Sequence, residues 1–245
     1  MPKQQAPRDS DRGQAATQTI AVAATAMQTI LDRAEGIPGV AVLSGRPGLG
    51  KTTAAAYLTH PIGADALYVS CRSFETTKSL SLQLLKELGI AAKTHWPIST
   101  AYEHICEALI QYGRPLVVDE VDRIAEKNTI EFLRDLHDNA HTPLFLIGEE
   151  DLKRKLLNHH ERFHDRVLVW AKAMPCDGTD LDKLIKHYVP DLLLDADAKK
   201  WLLQSTSGTA RKLVSSLAAL REHARASGAE RLVLADVQAA LREAR

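Results

Sequence analysis

Apolar residues fall at helical spacing in the stretch TIAVAATAMQTILDRAEG, which predicts a helix from Thr19 that stops at Gly36. Short, nearly unbroken apolar runs follow and predict strands: VAVLS (Val40 to Ser44), ALYVS (Ala66 to Ser70), PLVVDE (Pro115 to Glu120), PLFLIG (Pro143 to Gly148) and the alternating VLVWAKAMP (Val167 to Pro175). Helical spacing returns between them, in KTTAAAYLTH, SLSLQLLKELG, AYEHICEALIQYG and TIEFLRDLHDNA, and again ahead of the fifth strand. Strands alternating with helices predict an α/β fold built on a five-stranded parallel sheet. From about Asp177 the pattern is helical only, in DLDKLIKHYV, ADAKKWLLQST, ARKLVSSLAALREHA and LADVQAALREA; RLVL is too short to count as a sheet. The expected organisation is a polar, mobile tail over 1–17, an α/β domain over 18–176 and a small all-α domain over 177–245.

Hydrophobic residues make up 45% of the 245 and charged residues 25%, as in an ordinary soluble globular protein. No apolar run approaches the roughly 18 residues that cross a bilayer, and the N-terminus has no apolar core of a secretory signal. Cys71, Cys106 and Cys176 are few and far apart, which fits a reducing cytoplasm and no metal pattern. The 31 Lys and Arg balance the 31 Asp and Glu. Such a chain does not coat nucleic acid as a polycation; binding to DNA would need a local basic surface repeated by assembly.

GRPGLGKTT contains G-x-x-x-x-G-K-[ST] through Gly45, Gly50, Lys51 and Thr52, with a strand before it and a helix after it. Gly45, Pro47, Gly48 and Gly50 let the backbone fold around phosphate oxygens, and Lys51, Thr52 and Thr53 open a helix whose N-terminus favours anions. Lys51 would reach the β- and γ-phosphates of ATP, and the Thr52 hydroxyl would ligate Mg²⁺. PLVVDEVDR brings Asp119 to the carboxyl end of a buried strand, where it would hold Mg²⁺ through water, and Glu120 next to it would polarise an attacking water.

NHHERFHDRV spells H-E-x-x-H from His160 to His164, the zinc-protease signature when both histidines lie on one helix face. No downstream third ligand stands at a recognisable spacing, so His159, His160 and His164 are expected on a solvated face or a subunit interface.

On these residues the chain resembles AAA+ ATPases, and within them the transposition regulators related to the phage Mu B protein, TnsC and IstB. The motifs GRPGLGKTT, VVDEVDR, LFLIGEEDLKRKLL, HDRV and SGTARKL carry the resemblance, over about 18–245. It implies a polar group after the fourth strand facing the γ-phosphate; Glu149 stands there, with Glu150 beside it, where the family has Asn, Thr or Ser. It implies a trans-acting arginine before the fifth strand, Arg166 or else Arg162. Through Gly208-x-x-Arg211 it implies that Arg211 of the helical domain also reaches the γ-phosphate. It further implies ATP-dependent homo-oligomers, filament or ring, around double-stranded DNA, and delivery of that DNA to a transposase. Arg72, Lys78, Lys93 and Thr94 are the candidate DNA contacts, with Lys153 to Lys155 a further basic cluster. The alternatives are an assembly ATPase acting on protein, of the ExeA type, a helicase loader or replication initiator, and a nucleotide switch that barely hydrolyses.

Overall fold

The computed structural model describes residues 15–93 and 95–243; residues 1–14 of the expected tail, Thr94 and residues 244–245 lie outside the described residues. Contacts within the chain form two units. One holds residues 19–47 and 51–173; the other holds 15–18, Gly48–Gly50 and 174–243.

The larger unit is a five-stranded parallel sheet of β1 (Val40–Ser44), β2 (Leu67–Ser70), β3 (Leu116–Asp119), β4 (Leu144–Gly148) and β5 (Val167–Lys172), in the order β2-β3-β4-β1-β5. Its helices are α1 (Gln18–Leu31), α2 (Lys51–Thr59), α3 (Thr77–Glu87), α4 (Ile98–Tyr112), α5 (Thr129–Ala140), α6 (Leu152–His159) and α7 (Glu161–His164). Every residue of β1, β3 and β4 is buried, as expected for central parallel strands covered on both faces. Side chains alternate across the sheet: Val40, Val42, Leu116, Val118, Leu144 and Leu146 join one core with Leu84, Ile105 and Leu133 of α3, α4 and α5. The edge strands β2 and β5 are only partly buried.

Local chemistry sets several element ends. A capping box opens α3, in which the Thr76 side chain accepts from the Ser79 N–H and the Ser79 hydroxyl accepts from the Thr76 N–H. Gly113 closes α4 in the left-handed conformation at φ +61°. The first helix ends at Leu31, short of the expected Gly36. Arg33 folds back there, donating to the carbonyl of Ile30 (2.6 Å) and to that of His141 (2.9 Å), and so satisfies a helix-end carbonyl early.

In the second unit α8 (Gly178–Tyr188), α9 (Ala196–Thr206), α10 (Ala210–Ser227) and α11 (Leu234–Glu243) share a core of Leu181, Leu202, Leu213, Leu217, Leu220 and Val237. The segment RLVL is a correction to the sequence reading: Arg231–Leu232 (β7) pairs in parallel with Leu193–Leu194 (β6). Asp195 extends the pairing through its bond from Arg231 Nε, 2.7 Å, which no periodicity in so short a run could announce. Buried Asp180 accepts from the Gln18 N–H, and the Ala16 carbonyl accepts from Lys183.

His137 clips the entrance of β1 to the turn before β4. Its Nε2 accepts from the Gly39 N–H at 3.2 Å, and its Nδ1 faces the Thr142 carbonyl at 2.8 Å, which requires the neutral tautomer with the proton on Nδ1. Burial is the main cause that lowers its pKa from the ordinary value; Arg33 and Arg166 push the same way, against the Thr142 carbonyl and Asp138. The unfolded chain takes up this proton near pH ~6.5, whereas the folded chain resists it to lower pH. The contribution of His137 is therefore intact above about pH 6.5 and is lost as pH falls through the folded pKa. Denaturant unfolding followed downward through this window should lose less stability in His137→Gln than in the parent; equal losses would remove His137 as the cause.

Candidate nucleotide site

The loop after β1 meets the steric demands of a phosphate cradle. Gly48 and Gly50 adopt φ +82° and +87°, a region that side chains with a Cβ avoid. A Cβ on Gly45 would lie 2.9 Å from that of Ala173, because the Ala173 N–H donates to the Ser44 carbonyl and draws the end of β5 close. Lys51 begins α2, and its ammonium donates to the carbonyls of Gly45 (2.5 Å) and Arg46 (3.1 Å), closing the loop into a ring. Thr52 and Thr53 follow on the first turn with exposed side chains.

Acidic groups gather at the carboxyl ends of the neighbouring strands. Asp119 is 4% exposed, and both its oxygens are engaged: Oδ1 accepts from the Glu120 N–H (2.8 Å) and Oδ2 from the Tyr68 hydroxyl (3.3 Å). Burial, then the Asp119 charge, pushes the Tyr68 phenol up to about 12, so it remains a donor. Glu120 takes a left-handed conformation (φ 57°, ψ 35°) that turns the chain into the 3-10 turn Val121–Arg123, and Arg123 Nη2 lies 3.3 Å from its Oε2. Asp122 Oδ1 accepts from the N–H of exposed Glu149 at 3.2 Å. Burial lowers the pKa of Lys51, while Glu149, Asp119, Glu120 and Asp122 raise it.

One lysine among four carboxylates beside an anion-favouring helix end suits a phosphate that arrives with a divalent cation. Among the described residues no group of three or more His, Cys, Asp or Glu is arranged to hold a metal. A hydroxyl and a carboxylate suit Mg²⁺, which takes one or two protein oxygens and fills its octahedron with phosphate and water; Thr52 and Asp119 are the residues that would hold it.

The segment from His160 to Arg166 does not form a metal-binding helix. Helix α7 starts at Glu161, and His160 lies before it at φ −143° with Nδ1 2.8 Å from Glu131 Oε1. His164 leans on Trp170, ring centroids 5.2 Å apart. Arg162 is exposed, and Arg166 makes a two-pronged pair with Asp138 (3.1 and 3.2 Å). In the helical unit, Gly208 sits at φ +62° with a Cβ position only 2.6 Å from the Cys176 carbonyl, so this site admits glycine; Arg211, three residues on, is exposed in the first turn of α10.

The candidate DNA residues do not form one continuous group. Arg72 and Lys78 are exposed and flank the start of α3; Lys93 is exposed beyond its other end, about 16 Å along an 11-residue helix. Thr94 lies outside the described residues. The Lys153 to Lys155 cluster is partly engaged, with Lys153 over the Trp170 ring at 5.0 Å and Arg154 and Lys155 paired with Asp151.

Residues 36–156 match the family model described as an AAA domain. The ORC2 protein of Aeropyrum pernix, in ADPNP–ADP complexes, superposes with TM-score 0.68 and 17% identity over 92% of this chain and 67% of that one. Cdc6p from Pyrobaculum aerophilum gives 0.69 and 17%, over 99% and 69%. The chain has the P-loop AAA+ fold. The Thermotoga maritima RuvB Holliday junction branch migration motor is a further AAA+ likeness, at TM-score 0.60 and 18% identity over 91% and 67%. No curated protein sequence matches significantly. No helix among the described residues is long and apolar enough to cross a membrane.

Tyr68 in β2, Asp122 and Arg123 in the turn after β3, and Asp138 on α5 escaped the sequence reading. Tyr68 had a faint signal, since it and Ser70 share the less buried face of β2, beside Val117 and Asp119 of β3. The partners of Arg123 and Asp138 come from other parts of the fold or across a tight turn, and no spacing encodes them.

Lys51→Ala should reduce Mg-ATP binding at least tenfold, because a methyl group cannot replace an ammonium at the phosphates. Its unfolding midpoint should stay near the parent's, since the side chain bonds only to its own loop. Titration with a fluorescent ATP analogue checks the first outcome and thermal unfolding the second; parental affinity would sink the assignment.

Proposed function

We propose that the protein is a Mg-ATP-hydrolysing ATPase that assembles on double-stranded DNA, as a filament or ring of identical subunits, and delivers that DNA to a transposase it stimulates. The observation that carries the nucleotide part of the reading is geometric: Lys51 opens the helix after β1, and Asp119 and Glu120 stand at the end of β3, at the same end of the parallel sheet. Bound Mg²⁺ supplies charge neutralisation at the β- and γ-phosphates. Lys51 and the loop of Gly45, Pro47, Gly48 and Gly50 hold the phosphates, with Thr52 and Thr53 on the first helical turn. Glu120 polarises the attacking water, and Glu149 is the second carboxylate at its side. Arg166, with Arg162 as the other candidate, neutralises developing charge in a neighbouring subunit's site after leaving Asp138. Arg211 serves the γ-phosphate from the helical unit.

The nucleotide part is tested at Glu120. Glu120→Gln should retain ATP binding while steady-state hydrolysis falls about 10²-fold or more, the scale of losing a positioned base. Phosphate release that continues at the parental rate would transfer the role to Glu149.

The DNA part follows from charge and assembly. A chain of zero net charge holds duplex weakly alone, whereas subunits aligned by ATP act together on successive phosphates. Binding should need ATP, be cooperative, show no sequence preference and weaken steeply with salt. Fluorescence anisotropy on two unrelated duplexes, with and without ATP across a salt series, measures all four. Equal binding without nucleotide, or none with it, would favour a protein-directed ATPase. A second reading, a replication initiator or helicase loader, is favoured by the likeness to ORC2 and Cdc6p. Strand transfer by a transposase into a target plasmid, raised by the protein and ATP together, separates the transposition reading from that one.

A further inference from the structure

Arg166 is already engaged within the single chain. It gives Nε and Nη2 to the two oxygens of Asp138, at 3.1 and 3.2 Å, and both side chains are partly exposed. Asp138 stands near the end of α5, and the pair lines an open cleft with Arg33, Ile37 and Pro38, at the entrance of β1. A fork that turns those two donors toward a phosphate leaves the Asp138 carboxylate bare. The neighbouring guanidiniums are engaged: Arg134 with Glu131 and Asp135, and Arg33 with the carbonyls of Ile30 and His141. An unpaired charge drawn out of water is the costly case, so the surface that takes Arg166 has to return a cation.

Arg46 has the place and the freedom to be that cation. It stands between Gly45 and Pro47 in the loop that would wrap the phosphates, and its carbonyl accepts from Lys51 at 3.1 Å, which fixes its backbone. Its side chain is exposed and makes no ion pair among the described residues. Asp138 of the same chain is out of its reach. β1 and β5 run in parallel, with Val40 beside Val167 and Ser44 beside Lys172, so Arg166 precedes one end of the sheet and Arg46 follows the other. The five residues of β1 alone put roughly 16 Å between those ends. The two groups meet only across a head-to-tail contact between copies, which is the kind of contact that generates rings and filaments.

We propose that assembly exchanges ion-pair partners: Arg166 passes from Asp138 to the nucleotide of the neighbouring copy, and Asp138 passes to the partner subunit's Arg46. The inference rests on the reading of Arg166 as the trans-acting arginine. Asp138 is then a positioning residue on both sides of the event. It holds Arg166 back in the free chain, and in the assembly it seats the segment before β5 on the phosphate loop that Arg166 serves. Release of the arginine is complete only where Arg46 stands ready to take the carboxylate, so turnover is tied to correct seating of the two copies.

The test is a double-substitution cycle on the full chain with Mg-ATP, reading turnover per subunit against protein concentration, with self-association followed by sedimentation. Arg46→Gln should raise the concentration for half-maximal turnover about tenfold, the scale of losing one interfacial charge pair. In an Asp138→Asn chain, which strands no carboxylate, the same change should shift it by less than about twofold. A direct effect of Arg46 on bound nucleotide is common to both backgrounds and cancels. Lys172→Gln, at an exposed lysine ending β5, should show no coupling to Asp138→Asn. If Arg166→Ala turns over at the parental rate, or parental turnover is independent of concentration, the trans-arginine reading falls and takes this inference with it. If Arg166→Ala is inactive but Arg46→Gln acts equally in both backgrounds, or the coupling belongs to Lys172, the inference alone is overturned.

Discussion

Electrostatic balance at Lys51 organises the sheet's carboxyl end. Burial acts against the ammonium, and four carboxylates from the ends of β3 and β4 act for it. They reach it because β4 lies between β3 and β1, with all three strands running the same way. An antiparallel partner would send its terminal carboxylate to the opposite end of the sheet. Among the described residues the ammonium itself bonds only to the carbonyls of Gly45 and Arg46, so the four acids act on it through their field rather than by contact.

Around that centre the polar groups are tied in series. Tyr68 holds Asp119, Asp119 holds the Glu120 N–H, and Arg123 joins the Glu120 carboxylate to the Cys71 carbonyl. A displacement at one end of such a series has few ways to dissipate, since the central strands beside it are close-packed on both faces. On the side of β3 away from β2, the N–H of Glu149 is bound to Asp122, which brings the end of the fourth strand into the same set of contacts.

Much of this was legible in the sequence, for identifiable reasons. The five strands show as apolar runs because each central strand is buried on both faces, and the phosphate loop shows because its glycines and lysine have fixed offsets within one turn. Asp119 and Glu120 could be placed from the end of VVDE alone. Long-range pairings were not legible: Asp138 with Arg166, Glu131 with His160, and Arg33 with His141. Each depends on which elements become neighbours. The H-E-x-x-H spelling misleads because a pattern that needs one continuous helix meets a helix beginning one residue too late. β7 was hidden for the opposite reason, two residues being too few to show a period.

The left-handed backbone at Glu120 has a consequence for how such a protein changes over time. An L residue with a Cβ is strained there by roughly 1 kcal/mol or more, and glycine is not. The substitution that would relax the turn most easily is also the one that removes the carboxylate. Under the role proposed for Glu120, selection for a sturdier fold and selection for turnover pull this single position in opposite directions, and a chain released from that role would be free to drift toward glycine there.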